Sequence, residues 1–307
     1  MVDSDSMSGR FLSSADICAL VVTYNADAGF PERLARIERQ VGGVVVVDNG
    51  SEEGTREMLR ACTGRPSITL VLNAQNVGIA GAFNIGIGQA VGRGFSGVLL
   101  MDHDTSVHEA MVEELLKVGA AHPARAELAV IGSGFHDDND EASEATVFAA
   151  DDSWEEVESV ISSGSLIPLA SHAFVGPFRE ELFIDYVDVD YCLRARAKGL
   201  RVIKTRKSLM SHSIGASSRQ SWLWTTKWVR NHSPDRRYYI ARNDTVMLRE
   251  HGNYVLGMWA LKSFGRRLRA CRRIALYERM KVAKIIAVAE GWRDGVRGRL
   301  GPRGGRQ

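Results

Sequence analysis

The sequence predicts an α/β protein with a mostly parallel, doubly wound sheet and helices on both of its faces. Near-continuous apolar runs, typical of strands covered on both sides, alternate with helical segments through the first half of the chain. A cluster of polar residues follows each of the first four runs. Because the ligands of such sheets bind at the carboxyl ends of the strands, the pattern predicts a ligand site at that edge.

Residue type and spacing predict the elements of the first half one by one. The apolar runs predict strands over residues 17–24, 44–47, 68–72, 97–101 and 128–132. Pro31 suits the first turn of a helix, and helices are predicted over 31–40, 54–62, 79–93 and 106–121. The third of these helices is rich in alanine and glycine, which allows it to pack closely on the sheet.

The pattern changes after residue 133. Residues 136–158 are strongly acidic and are expected to form a surface excursion. Beyond them the sequence predicts a strand over 166–170, a helix over 188–198 that Gly199 ends, a strand over 201–204 and helix from 222 to 299. The predicted divisions are a polar arm over 1–16, a main domain over 17–221 with halves 17–133 and 134–221, and a basic helical region over 222–307.

The composition indicates a globular protein of the reducing cytosol. The chain has 307 residues, of which 45% are hydrophobic and 25% charged, so wholesale disorder is excluded. Its four cysteines form no Cys-x-x-Cys pair, and neither a zinc site nor a disulfide framework is expected. No apolar run is long enough to span a membrane, and the polar N-terminus lacks the apolar region of a signal peptide. We therefore expect a cytoplasmic location.

Positive charge is concentrated near the C-terminus. The net charge is only +2, yet residues 262–307 contain 14 Lys and Arg residues against 3 Asp and Glu residues. Arginines alternate there with apolar residues, as in an amphipathic helix at a membrane surface. The residues of this pattern are Arg266, Arg267, Arg269, Arg272 and Arg273 with Leu268, Ile274 and Leu276. The region is expected to make a peripheral contact with the inner face of a membrane or to join copies in a homo-oligomer, and nucleic acid is not expected as a partner.

The run over 97–101 ends in two carboxylates, Asp102 and Asp104. If the strand stays extended through them, both side chains point to one side, because side chains alternate along a strand. Paired carboxylates suit Mg²⁺ or Mn²⁺, and such ions usually also hold substrate phosphates. The alternative is a strand end followed by a helix cap, with Asp104 at the cap and Glu109 in the first helical turn. The polar ends of the neighbouring strands favour the metal site.

Two other strand ends carry candidate binding groups. Asp48 is suited to accept a hydrogen bond from the imide N–H of uracil or thymine, or it ends its strand as an Asx turn. The segment 76–81 follows the third strand and is not Gly-x-Gly-x-x-Gly, which argues against a dinucleotide-binding dehydrogenase. Its glycines allow a phosphate or sugar to approach a helix N-terminus, while Gly81 and Gly86 equally suit packing of the helix on the sheet.

Three carboxylates, Asp185, Asp188 and Asp190, lie at the start of the helix predicted over 188–198. The helix dipole favours an acid in this position, but three acids are more than capping requires. Crowded carboxylates raise one another's pKa, and a general base is tuned in this way. Arg194 lies four residues after Asp190 and is placed to pair with it, which is expected to leave Asp188 as the freer acid.

His212 and an aromatic run complete the candidates. A lone histidine is usually structural, but beside a pair of metal-binding aspartates His212 becomes a candidate third ligand. Aromatic rings stack on sugars and arginines hold phosphates, so Trp222 and Arg236 are candidates for contact with an acceptor. The tryptophans at 222, 224 and 228 equally suit the packing of a helix.

Taken in order, five motifs resemble glycosyltransferase family 2, whose members have the GT-A fold. They are Val-Val-Thr-Tyr-Asn (21–25), Val-Asp-Asn-Gly-Ser (47–51), Asn-Val-Gly-Ile-Ala-Gly-Ala-Phe-Asn (76–84), Met-Asp-His-Asp (101–104) and Asp-Val-Asp-Tyr-Cys-Leu-Arg (188–194). The resemblance covers about residues 17–250. Within the family, the stretches 183–194 and 232–243 resemble bacterial rhamnosyltransferases of polysaccharide assembly.

The resemblance implies an inverting, metal-dependent transfer from a nucleotide sugar, with dTDP-L-rhamnose as donor, to a hydroxyl of a cell-surface polysaccharide or lipid-linked glycan. It implies that Asp102 and Asp104, with His212 as a possible third ligand, hold Mg²⁺ or Mn²⁺. The implied contacts of the nucleotide sugar are Thr23, Asn25 and Asp48 at the nucleoside, and Asn76, Gly78, Gly81, Asn84, Asp102 and His103.

The resemblance also implies the position of the catalytic base. In the family the base is the second residue of a Glu-Asp pair, and this pair reads Val187-Asp188 here. Asp188 therefore keeps the role while the preceding acid is absent. Asp185 and Asp190 are the fallback candidates.

Three other functions stay open at this point. A family 2 enzyme with another donor, such as UDP-galactofuranose or UDP-glucose, would carry the same motifs. A catalytically inactive nucleotide-sugar binding module would need no base, so Asp188 argues against it. A nucleotidylyltransferase would begin with a Gly-rich, basic loop after the first strand, and residues 23–29 contain none.

Overall fold

The computed structural model describes residues 11–136, 153–212, 217–222, 225–251 and 258–304. The chain forms two compact units. The first comprises Met1–Phe178 and Tyr191–Ser213, and the second comprises Arg179–Asp190 and Ile214–Gln307. The short segment 179–190 thus groups with the C-terminal helices.

Four parallel strands form one half of the sheet in the first unit. They are β1 (Ile17–Thr23), β2 (Gly43–Asp48), β3 (Ile68–Leu72) and β4 (Gly97–Asp102), and they lie in the order β3-β2-β1-β4. Every residue of β1 and β2 is buried, as expected for strands covered on both faces. Each strand begins and ends within one residue of its predicted bounds.

The other half of the sheet is mixed. It contains β5 (Thr105–Val107), β6 (Leu128–His136), β7 (Trp154–Glu156), β8 (Ser165–Pro168) and β9 (Arg201–His212). β8 runs antiparallel between β4 and β6, whereas β6 and β9 are parallel. β5 and β7 each pair antiparallel with β9. The predicted α/β class is confirmed, with a mixed sheet that is parallel through its first four strands.

Helices cover both sides of this sheet. They are α1 (Phe30–Glu38), α2 (Glu53–Thr63), α3 (Gly78–Gly92), α4 (Met111–Ala121), α5 (Leu169–Val175) and α6 (Val187–Ala197). The apolar faces of α1, α2 and α4 join the strands in one core, to which Phe30, Leu34 and Leu59 contribute. α3 packs closely on the sheet at Gly86, where an added methyl group would overlap the buried side chain of Leu20.

The second unit contains a hairpin and three helices. The hairpin pairs β10 (Ser217–Trp222) with β11 (Thr225–Arg230), and the helices are α7 (Pro234–His251), α8 (Met258–Tyr277) and α9 (Lys281–Val296). The prediction of helix from residue 222 onward is therefore wrong up to residue 230. The threonine, valine and tryptophan residues there have a high strand propensity, which outweighs their helix-like spacing. Among the described residues, no helix is long and apolar enough to cross a membrane.

Two glycines of α3 provide a matched test of how this helix packs. Gly86 has no room for a side chain, whereas Gly88 is exposed, and a methyl group added to it would have no neighbouring atom within 4 Å. We expect Gly86→Ala to lower the free energy of unfolding by about 1–3 kcal/mol through overpacking. Gly88→Ala should raise it by about 0.5–1 kcal/mol, because alanine loses less backbone entropy in a helix. Urea unfolding followed by circular dichroism measures both changes, and equal effects of the two substitutions would contradict this packing.

Candidate active site

The polar ends of three neighbouring strands lie together at the carboxyl edge of the sheet. In the strand register Thr23 of β1 is paired with Asp48 of β2, and Val22 is paired with Asp102 of β4. The loops that follow these strands therefore begin side by side. The structure thus brings the candidates Thr23, Asp48 and Asp102 to one edge, as the alternation of strands and helices predicts.

The Asp48 carboxylate is fully buried and is surrounded by donors. Its Oδ1 accepts hydrogen bonds from the hydroxyls of Thr23, at 3.1 Å, and Ser51. Its Oδ2 accepts a hydrogen bond from the backbone N–H of Ser51 at 3.1 Å, and Nε of Arg56 lies 3.5 Å away. These contacts form the turn that was one of the two alternatives for Asp48. They also compensate a charge that is otherwise costly to bury.

Asn49 ties the loop after β2 to the loop after β3. Its amide nitrogen donates to Oδ1 of Asn76, at 3.0 Å, and to the carbonyl of Gly78, at 3.2 Å. Its carbonyl oxygen accepts from the backbone N–H of Val77 at 3.0 Å. Asn49 is nearly fully buried, so the N-terminal turn of α3 is held in one conformation. Asn76 and Gly78, both predicted to contact the nucleotide sugar, belong to this turn.

Asn25 ties the loop after β1 to the start of α2. Its backbone is left-handed, with φ of 49°, and its N–H donates to Oγ of Ser51 at 2.8 Å. Its Oδ1 accepts from the backbone N–H of Glu52 at 2.9 Å. The exposed Asn25 therefore stands directly beside the loop that carries Asp48.

The Asp102-His103-Asp104 segment is a turn, and neither interpretation of it from the sequence was correct in detail. Residues 103 and 104 leave the extended conformation, so the alternation of side chains does not place the two carboxylates on one side. The helix-cap alternative is also wrong, because the chain enters β5 at Thr105 and α4 begins only at Met111. His103 and Asp104 connect β4 directly to β5.

Side chains of other loops hold this turn. The backbone N–H of Asp102 donates to Oγ of Ser163 at 3.1 Å, and Ser163 also contacts the hydroxyl of Thr105 at 2.9 Å. The carbonyl of His103 accepts from Nε of Arg33 in α1 at 2.8 Å. Ser163 and Arg33 had no signal in the sequence, because their partners are far away along the chain.

Strand pairing brings the backbone of His212 next to the turn. β5 and β9 are antiparallel, and Thr105 is paired with His212 in their register. His212 thus lies across the ladder from the residue that follows Asp104. Among the side chains that the structure describes, which do not include that of His212, no three His, Cys, Asp or Glu residues form a group able to hold a metal ion.

Two further candidate residues, Asn84 and Gly81, lie in α3 and are in contact with other parts of the protein. Asn84 donates from its amide nitrogen to the carbonyl of Phe178 and accepts the N–H of Phe178 at its carbonyl oxygen, both at 2.9 Å. Gly81 is buried in the same helix. The burial of Gly81 suits the packing alternative stated for it, and the contact of Asn84 and Gly81 with a nucleotide sugar stays a prediction.

The second unit contains the three carboxylates at the start of α6. Asp190 is fully buried and pairs with Arg179 at 3.2 Å, and Nε2 of His251 lies 3.6 Å from the same oxygen. Asp188 is partly exposed, and its Oδ1 accepts the neighbouring N–H of Val189 at 2.8 Å. The expected partner of Asp190, Arg194, donates to the carbonyls of Val175 and Pro177.

Asp185 pairs with Arg236, at 3.2 Å from Oδ1 to Nη2. Burial raises the pKa of the Asp185 carboxyl, and the Arg236 guanidinium opposes that rise. The backbone around it is unusual, because Phe183, Asp185 and Tyr186 all have φ between 62° and 66°. Left-handed conformations cost bulky residues about 1–3 kcal/mol each, so surrounding contacts must hold this segment.

Asn243 and Arg242 of α7 supply those contacts. The Asn243 amide nitrogen donates to the carbonyls of Leu182, Ile184 and Asp185 at 2.8–3.0 Å. Arg242 donates to the carbonyls of Glu181 and Leu182 at 3.0 and 2.9 Å. Both side chains are fully buried. Arg242 and Asn243 end the stretch 232–243 that resembles rhamnosyltransferases. The sequence alone assigned no contact to them, and in the structure they hold the segment before α6.

The tryptophan candidates lie in or beside the hairpin. Trp222 ends β10 and Trp228 belongs to β11, while Trp224 lies outside the described residues. Nothing is described of the side chains of residues 217–230, so the acceptor contact predicted for Trp222 stays a prediction. The side chain of Arg236 is 44% exposed and forms an ion pair with Asp185, and its predicted contact with an acceptor also stays a prediction.

Comparison with protein families defines the class of the chain. Residues 18–159 match the family model described as glycosyl transferase family 2. Those residues contain all of β1–β4 except Ile17, together with the loops that follow these four strands. Residues 18–159 are therefore similar to this family, and the chain is a glycosyltransferase.

A relative of known activity shows which kind of glycosyltransferase the chain resembles. The chain is 28% identical, over 251 residues, to dTDP-rhamnosyl transferase RfbF of Shigella flexneri. The match covers 78% of this chain and 81% of the relative. It confirms the recognised resemblance to rhamnosyltransferases of family 2.

Solved structures confirm the GT-A fold. S. aureus TarS 1-349 in complex with UDP-GlcNAc matches with a TM-score of 0.52 and 15% identity, over 92% of each chain. The mannosyltransferase PcManGT from Pyrobaculum calidifontis, in complex with GDP-Man and Mn²⁺, matches with a TM-score of 0.51 and 16% identity. That match covers 78% of this chain and 66% of PcManGT. At these identities the matches show the fold alone.

The contacts of Asn243 predict a strong effect of a nearly isosteric substitution. Asn243→Asp replaces a donor to three carbonyls by a buried acceptor, and we expect the free energy of unfolding to fall by about 2–4 kcal/mol. Gln89→Glu makes the same chemical change on the exposed side of α3 and should change it by less than about 0.5 kcal/mol. Chemical denaturation measures both values. A change of equal size in the two variants would show that Asn243 does not hold the segment.

Proposed function

We propose that the enzyme transfers L-rhamnose, with inversion, from dTDP-L-rhamnose to a hydroxyl of a bacterial cell-surface polysaccharide or lipid-linked glycan. The observation that carries the proposal is the carboxyl edge of the sheet. There the loops after β1, β2 and β3 are tied to one another, and Arg33 and Ser163 hold the Asp102–Asp104 turn after β4. Preorganised loops of this kind suit a large polar ligand, since little ordering remains to be done on binding. The similarity to a dTDP-rhamnosyl transferase supports the choice of donor.

In this proposal the nucleoside of the donor binds beside Thr23, Asn25 and Asp48. The Asp48 oxygens already accept from Thr23 and Ser51, so an imide N–H of thymine would take the place of one of these donors. The Ser51 hydroxyl is suited to give way, because it also accepts from the N–H of Asn25 and can rotate. Binding would then exchange one hydrogen bond for another and leave the buried charge compensated.

The residues around the turn suit a divalent cation in their chemistry. Asp102 and Asp104 supply carboxylates, and strand pairing brings the backbone of His212 next to Thr105. Together these three residues would hold Mg²⁺ or Mn²⁺. When bound, the ion would neutralise charge on the diphosphate leaving group. The carbonyl of His103 is held by Arg33, so the turn between the two aspartates keeps its shape without the ion.

Asp188 is the proposed base. It is partly exposed at the first turn of α6, whereas Asp190 is fully buried. In the reaction, the acceptor oxygen forms a bond to the anomeric carbon while the bond from that carbon to the diphosphate breaks. The proton of the acceptor hydroxyl passes to the Asp188 carboxylate, and dTDP leaves from the opposite face.

Replacing the base should separate catalysis from binding. We expect Asp188→Asn to lower kcat about 10²–10⁴-fold, the usual contribution of a general base, with the affinity for dTDP-L-rhamnose unchanged. Asp235→Asn removes an exposed carboxylate of the same unit and should leave kcat unchanged. A coupled assay of dTDP release with a rhamnose-accepting glycan measures kcat. Near wild-type turnover by Asp188→Asn, with a large loss in Asp185→Asn, would move the base to Asp185.

A panel of nucleotide sugars tests the donor and the cation together. Thermal shift should show the largest rise in Tm with dTDP-L-rhamnose and Mg²⁺ or Mn²⁺, and a smaller rise with UDP-glucose or UDP-galactofuranose. EDTA should remove most of the rise, and so should Asp104→Asn, whereas Glu32→Gln on the exposed side of α1 should keep it. A larger rise with a UDP-sugar would overturn the choice of donor. An undiminished rise in EDTA would overturn metal dependence.

A further inference from the structure

Helix α9 presents its large apolar residues to solvent and its small residues to the protein. The buried positions are Lys284, Ala287, Gly291 and Gly295. Val282 is 72% exposed and Trp292 54% exposed. The outer face of α9 consists of Val282, Ile285, Ile286, Trp292 and Val296, all about half exposed or more. At 3.6 residues per turn these five side chains fall within an arc of about 120°.

The glycines explain why this helix cannot turn its apolar residues inward. A methyl group at Gly291 would overlap the backbone carbonyl of Tyr238 in α7, and one at Gly295 would overlap that of Arg242. α9 therefore lies against α7 backbone to backbone. Lys284 fixes the same orientation, because its ammonium group donates to Glu278 at 2.9 Å and to Asn231. The apolar residues of the outer face are exposed because α9 packs closely on α7 in this one orientation.

The surroundings of the outer face are positively charged. The exposed Lys281 and Arg297 flank this arc on either side, at the two ends of α9, and the exposed Arg293 lies within it next to Ile286. The three acids of residues 262–307 are all engaged by protein groups. Glu278 contacts Arg237 and Lys284, Glu290 contacts Arg303, and Asp294 contacts Arg293. The surface around α9 is therefore basic, with an apolar centre.

This combination identifies the kind of partner. A contiguous apolar patch on a protein surface usually marks an interaction site. A second copy would bring the same patch against itself and would face like charges with like charges. Nucleic acid phosphates would suit the arginines but not the aliphatic face. A bilayer with anionic headgroups suits both, since an interfacial helix buries aliphatic and tryptophan side chains while cations meet the headgroups.

We propose that the outer face of α9 inserts into the interfacial region of a membrane that contains anionic lipids. The predicted membrane pattern over residues 266–276 lies on α8, where Ile274 is fully buried and Leu268 is 64% exposed. The apolar surface lies instead on the next helix. This proposal rests on the proposed function for its biological meaning. A lipid-linked acceptor would lie in the same membrane to which α9 binds, so membrane binding would bring the enzyme to its acceptor. Vesicle binding itself needs neither donor nor acceptor.

Sedimentation of the full-length protein with vesicles tests the proposal. The vesicles contain phosphatidylcholine with phosphatidylglycerol, or phosphatidylcholine alone. We expect binding to the anionic vesicles that falls at least tenfold in the combined variant Ile285→Ser, Ile286→Ser, Trp292→Ser. The matched control, Val91→Ser with Phe174→Ser, removes exposed apolar residues of the first unit and should bind as the wild type does. Binding should also weaken on phosphatidylcholine alone and at high salt.

Three outcomes would overturn the proposal. The first is absence of wild-type binding to anionic vesicles, and the second is equal binding by the α9 variant. The third is a dimer in light scattering without vesicles that the α9 variant converts to a monomer, since the outer face would then be a contact between copies. A failure of the donor panel leaves all three results unaffected, so the two proposals fail independently.

Discussion

The buried Asp48 carboxylate is the constraint on which the proposed donor site depends. A charge at the end of a fully buried strand is tolerated only when polar or oppositely charged groups surround it. Here Thr23 and Ser51 donate hydrogen bonds to Asp48, and the guanidinium of Arg56 lies 3.5 Å away as an ion-pair partner. Satisfying Asp48 thus fixes the end of β1, the turn after β2 and the first part of α2 relative to one another. Asn49 fixes the loop before α3 in the same way, through its hydrogen bonds to Asn76 and Val77. The edge of the sheet is consequently a shaped surface before any ligand arrives.

The second unit uses the same principle with neutral partners. The segment before α6 adopts left-handed conformations that its residues would not adopt alone, and the buried Asn243 and Arg242 bind its carbonyls. These contacts fix the position at which α6 begins, and Asp188 lies in the first turn of that helix. In both units, therefore, a candidate functional residue lies directly beside a loop whose shape is set by buried polar groups. Such loops combine accessibility with rigidity, which transfer chemistry requires.

The sequence predicted most of the first unit and little of the second, for physical reasons. Continuous apolar runs identify buried strands directly, so β1 to β4 were placed within one residue. β5 was missed because three residues carry no periodic signal, and the prediction for Asp102 and Asp104 assumed an extended backbone that the turn before β5 does not allow. Residues 222–230 were assigned to a helix although their strand propensity is high. The outer face of α9 depends on contact with α7, which helical spacing alone does not reveal.

The central claim is that the carboxyl edge of β1, β2 and β4 binds a nucleotide diphosphate and a divalent cation. A crystal structure of the protein with dTDP and Mn²⁺, with anomalous data to locate the manganese, tests it most directly. We expect an anomalous peak at the carboxylates of Asp102 and Asp104, and thymine beside Asp48 and Thr23. A manganese peak without contact to either aspartate, or a nucleotide bound away from this edge, would contradict the claim.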